Sequence, residues 1–131
     1  MQTILDSATE ILILLFLIIT FVQSAIDKVF DWTGNLNWLK EHFADTFMQN
    51  IIPVLLGIVV LTEIIAGVLC TIGIYEILIM GTHQLALYGA IASCIALLML
   101  LFGQRVAKDY EGAKTIAVYF MPAIFLVYIL Q

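Results

Sequence analysis

One acid, Glu63, stands in the middle of an apolar run from Ile51 to about Ile79 whose only other charged residue is Glu76. An ionised carboxylate in hydrocarbon costs on the order of 2.5–3.5 kcal/mol even on the lenient insertion scale, so Glu63 must be protonated, paired or hydrated. Two roles compete. A neutral Glu63 donating a hydrogen bond to a neighbouring helix would be packing material, whereas a reactive one would anchor a ligand or relay protons. Thr20, Gln23, Ser24 and Asp27 lie three and four residues apart and form a polar stripe at the end of an earlier apolar run, with Lys28 directly after it. Gln23 and Ser24 are placed to satisfy Glu63 inside a bundle, and Asp27 and Lys28 to sit at the mouth of a cavity. Snorkelling to the membrane surface is the plainer role for Lys28.

Other chemistries have little to work with. Cys70 and Cys94 lie within apolar runs without C-x-x-C spacing, which suggests neither a zinc site nor a thiol–disulfide pair. His42 and His83 stand apart and read as solvated residues, so no metal site is expected. No nucleotide loop or nucleophile elbow occurs, and two histidines outside the spans do not make a bis-histidine heme site. Five lysines and arginines against ten acids, a net charge of -5, leave no basic surface for nucleic acid.

The elements that position Glu63 follow from composition. In 131 residues, 63% of side chains are hydrophobic and 11% charged; with a mean hydropathy of +1.11 this is a membrane chain, far from the 45–50% apolar share typical of soluble domains. At roughly 20 residues per crossing, the sequence predicts a single all-α domain over residues 1–131. It is an integral membrane bundle of four transmembrane helices, with approximate spans 5–27, 51–76, 84–104 and 112–130. The first span, preceded by Asp6 and Glu10 and followed by no small-x-small site, reads as a retained helix and not a signal peptide. Pro53 suits a helical first turn, and Pro122 is expected to kink the short fourth span.

Between the first two spans, Leu36, Leu39, Phe43 and Phe47 share the spacing of a short amphipathic interfacial helix. Trp32 and Trp38 read as interfacial anchors, with a lid over a lipid-facing entrance as the alternative. Glu63, Ala66, Gly67, Cys70 and Gly73 share one face of the second span, and Gly89, Ala92, Ser93 and Ala96 form a matching stripe on the third. Small residues let helices approach closely in a bilayer, so these faces are expected to pack together. In the third loop, Arg105 and Asp109 are spaced for a helical ion pair on a solvated edge, with docking to a partner or to anionic lipid as the alternative.

All five cations fall in the first and third loops, Lys28 and Lys40 in one and Arg105, Lys108 and Lys114 in the other. The positive-inside tendency puts those loops in the cytoplasm and both termini outside.

Three stretches carry a family resemblance. Phe21-Val22-Gln23-Ser24-Ala25-Ile26-Asp27-Lys28-Val29-Phe30 is similar to the first-helix end of the DoxX family of small bacterial membrane proteins, although Ser24 and Ala25 stand where a glycine is common. Leu61-Thr62-Glu63 through Gly67 to Gly73 resembles its second-helix pattern of a glutamate followed by two glycines. The tail from Gly103-Gln104-Arg105 to Tyr119-Phe120-Met121-Pro122 is similar as well. The resemblance implies a four-helix bundle in a bacterial cytoplasmic membrane, with some relatives linked to quinone-dependent oxidoreductases or redox complexes. The expected function is that of a non-catalytic accessory subunit of a membrane redox or envelope complex. It would contact the lipid bilayer and other membrane subunits or further copies of itself. No resident cofactor is expected, and quinone or lipid is the contact to look for. The alternative is a small quinone-linked oxidoreductase or transport-like protein in which Glu63 moves protons.

Overall fold

The computed structural model describes residues 2–131, with side chains from Ile4 onward. A short α1 (Gln2–Asp6) leads through Ser7 into α2 (Ala8–Phe30), and α3 (Trp32–His42) follows after Asp31 alone. After a stretch of turns come α4 (Ile52–Tyr75), a π-helical turn (Glu76–Met80), α5 (Gln84–Val106) and α6 (Tyr110–Leu130). Four of these segments are long and apolar enough to cross a membrane. The chain is an all-α, multi-pass integral membrane protein.

Local sequence explains where the helices start and stop. Pro53 occupies the first turn of α4, where an N–H would lack a partner anyway. The π turn ends at Gly81, whose φ of 72° is left-handed and suits a residue without Cβ. The Glu76 carboxylate accepts a 2.9 Å hydrogen bond from the Leu85 amide and so caps the start of α5. Asp109 accepts from the Gly112 amide at 3.0 Å and starts α6.

Several boundaries differ from those expected. The first span is broken at Ser7, and α2 continues to Phe30, so Lys28 belongs to a helix and not to a loop. Beginning at Tyr110, α6 has 21 residues, about 31 Å at 1.5 Å per residue; it runs unbroken through Pro122 and is not too short to span. The interfacial helix stops at His42. There the Thr46 hydroxyl donates to the Phe43 carbonyl and accepts from the Met48 amide, offering the backbone an alternative to further helix. Phe43 therefore lies just past α3, and Phe47, 74% exposed, is on no helix face at all.

The four spans run up and down around a core of Leu14, Leu17 and Phe21 from α2, Cys70 from α4, Leu97 from α5 and Leu126 from α6. Helix α4 packs on α2 and α5, and α5 on α6, while α6 meets α2 along a shorter stretch. Outward faces carry Leu12, Ile19, Leu61, Val118 and Met121 in the open, as lipid requires and water would not tolerate in such number.

The tightest approach is between α4 and α5. A Cβ on Gly73 would lie 2.6 Å from the Cα of Ala86, and one on Gly89 would lie 2.9 Å from the Cys70 amide nitrogen. Ser93 bonds back to the Gly89 carbonyl at 2.8 Å and faces the Cys70 thiol at 3.8 Å. The small-residue stripes thus lie face to face, except that Gly67 turns to Val22 of α2.

Gly73→Ala should lower the thermal midpoint in detergent, with a cost of about 1–3 kcal/mol for overpacking against backbone. Gly57→Ala, whose Cβ would meet nothing within 4 Å, should leave it unchanged or raise it. Equal melting of the two variants would contradict the close α4–α5 contact.

Candidate functional site

The inward stripe of α2 runs Leu14, Leu17, Phe21, Ala25 and then Lys28. Steps of three and four keep these residues on one face, so the lysine continues an apolar seam into the bundle. Its ammonium reaches to 3.1 Å from Oε1 of Glu63, with the lysine side chain 20% exposed and the glutamate 1%. Lys28 Nζ also donates to the Ser24 hydroxyl one turn earlier. Oε1 of Glu63 is buried without a hydrogen bond of proper geometry, so its contact with the ammonium is Coulombic attraction. That attraction is strong where the dielectric is low.

Only part of the expected polar group assembles. Ser24, Lys28 and Glu63 meet, whereas Gln23 and Asp27 are exposed on other faces of α2 and do not reach the carboxylate. Lys28 does not simply snorkel: its head is held by Glu63 and Ser24.

Lys28 also lines a cavity of about 480 Å³ bounded by α3, the turns after it, α4 and α5. Ile52, Leu55 and Val59 form the α4 wall, Leu98 and Met99 the α5 wall, and Trp38, Leu39 and Phe43 the cover. Lys28 is the one charged residue of this lining, and Gln104 and the Trp38 indole are its other hydrogen-bonding side chains. Such a space, with a few polar groups in an apolar wall, has the character of a small-molecule site.

The cover is fastened at both ends. Leu36 and Leu39 pack with Phe43, Met48, Ile52 and Leu55 in a second small core. His42 stacks on Trp38 with ring centroids 4.5 Å apart. Its Nε2 lies 3.3 Å from Oε1 of Gln104 and 3.5 Å from Oδ2 of Asp109. His42 is therefore tied to the α5–α6 turn and is not a free solvated residue. Asp109 faces His42 and caps α6, and Arg105 lies over the Tyr110 ring at 5.1 Å, so the expected Arg105–Asp109 pair does not form. Trp38 serves as a cavity wall, while Trp32 is 36% exposed at the start of α3.

The residues gathered here can hold a hydrogen-bond acceptor against an ammonium whose charge Glu63 balances. Among the described residues, no three His, Cys, Asp or Glu side chains gather where they could hold a metal ion. No protein-family model, characterised protein or solved structure matches the chain.

Lys28→Met strands a carboxylate and should destabilise the bundle by about 3–5 kcal/mol, read as a fall in the unfolding midpoint in detergent. Lys28→Met combined with Glu63→Gln removes both charges and should recover most of that loss. A single variant as stable as the wild type would mean that the pair is hydrated and not buried.

Proposed function

We propose that this chain is a DoxX-like, non-catalytic accessory subunit of a redox or envelope assembly in a bacterial cytoplasmic membrane. Within that assembly it holds a quinone- or lipid-like molecule in the cavity under α3. The observation that carries this reading is the cavity itself: an apolar space sized for a small ligand, with the ammonium-bearing Lys28 in its wall and Glu63 behind it. A bundle built only for packing would have no need of a buried ion pair, because apolar residues of similar volume hold helices together as well or better.

A second reading is favoured by the buried Oε1 that lacks a hydrogen bond: Glu63 moves protons for a quinone-linked oxidoreductase or a transport-like activity. Quinone reduction or proton movement in proteoliposomes, abolished by Glu63→Gln in a protein that still folds, would favour this second role.

Lys40, Arg105, Lys108 and Lys114 support a cytoplasmic placement for α3 and the α5–α6 turn, although Lys28, now paired with Glu63, no longer adds to that count. A tag at Gln131 should then be accessible from outside intact cells, and its protection there would reverse the orientation.

Purification from native membranes in mild detergent should yield about one extractable apolar molecule per chain together with stoichiometric protein partners. Val59→Trp, which fills the cavity from α4, should remove the molecule. A monodisperse chain with neither ligand nor partner overturns the proposal.

A further inference from the structure

We infer that the cavity selects its ligand by head-group charge: it takes a single-chain amphiphile with an uncharged, hydrogen-bond-accepting head, and Glu63 sets that preference by neutralising Lys28. This rests on the ligand-holding role proposed above and specifies the class of molecule held.

The donor inventory comes first. A lysine ammonium has three N–H donors. One bonds to Ser24, the contact with Glu63 is an ion pair without hydrogen-bond geometry, and at least one N–H has no partner among the described residues. A side chain with a spare donor, in the wall of an otherwise apolar space, is best completed by an acceptor atom on the occupant. Gln104 adds an amide from the α5 side, with its Oε1 already turned to His42.

Charge decides what kind of acceptor that is. The single cation of the lining is already balanced by a carboxylate that is 1% exposed. A carboxylate, phosphate or sulfate head would leave one uncompensated negative charge in a medium that screens poorly. A hydroxyl, ester or ketone oxygen completes the ammonium and leaves the site neutral. Size narrows the class further: about 480 Å³ lies in the lower half of the range of roughly 300 to 1,000 Å³ for small-molecule sites, which suits one hydrocarbon or prenyl chain.

The test uses the full chain in phosphatidylcholine vesicles with Trp32→Phe, so that Trp38 in the cavity wall is the single tryptophan and the reporter. The probes are a brominated long-chain alcohol and the sulfate ester of the same alcohol, which share a chain and differ by a permanent charge. The alcohol should quench Trp38 at a concentration about tenfold or more below that needed for the sulfate, the scale of one uncompensated charge in a bilayer. Glu63→Gln should erase or reverse that preference, and Lys28→Met with Glu63→Gln, which again leaves the lining without net charge, should weaken the alcohol while the sulfate stays disfavoured. Equal quenching by both probes in the wild-type site overturns the charge preference while leaving the cavity a binding site. That comparison needs no Glu63 variant to fold. Quenching by neither probe overturns the cavity reading and this inference with it. A prenyl quinone or a neutral monoacylglycerol extracted with the native protein supports the inference and identifies the source, and a stoichiometric anionic lipid overturns it.

Discussion

The rest of the structure depends on a buried pair of opposite charges. Taking either Lys28 or Glu63 alone out of water would cost several kcal/mol, so α2 and α4 must meet with these two side chains in register. That requirement fixes the rotation of α2 and needs the helix to run past Asp27. It also settles which side of α4 turns inward, because Glu63 shares its face with Ala66 and Cys70. Leu14, Leu17 and Phe21 then point to the core without further specification.

The two ends of the α4–α5 contact follow from residue size. Around Gly73, Ala86 and Gly89 the backbones nearly touch. Toward the other end the facing residues are Leu55, Val59, Leu98 and Met99, whose bulk leaves a space between the helices. Helix α3 covers that space, and its second small core of Phe43, Met48 and Ile52 joins it to the start of α4. One end of the bundle is therefore solid and the other roofed, with Lys28 and Glu63 near where one gives way to the other.

Much of this was legible in the sequence, for identifiable reasons. Four spans follow from apolar length, which the bilayer imposes, and the small-residue stripes are visible as periodicity. The acid in mid-span stands out because its cost is large. Lys28 was harder to place, since a lysine at the end of an apolar run usually reaches for water. The signal was its register: 14, 17, 21, 25 and 28 form one seam, whereas the more conspicuous polar stripe of Gln23 and Asp27 lies on other faces. His42 was not legible at all, because its partners Gln104 and Asp109 are more than sixty residues away and only the folded chain brings them together. Phe47 shows the opposite failure, where helical spacing continued past the point at which Thr46 ends the helix.

The exposed aromatic residues around the roofed end bear on how a ligand would arrive. Phe30, Trp38 and Phe47 are 85%, 55% and 74% exposed, and they flank or form the cover contributed by α3. Aromatic rings are at home at headgroup depth, which would place α3 along the membrane surface and the space beneath it among the upper acyl chains. A water-soluble molecule would have to pass the cover that His42 ties to the α5–α6 turn. A molecule already dissolved in the bilayer could move sideways between α3 and the helices, keeping its chain in hydrocarbon until its head met Lys28. On the proposed function, the polar groups that sequence and fold bring together would thus lie where a membrane-borne ligand could reach them without the bundle opening to water.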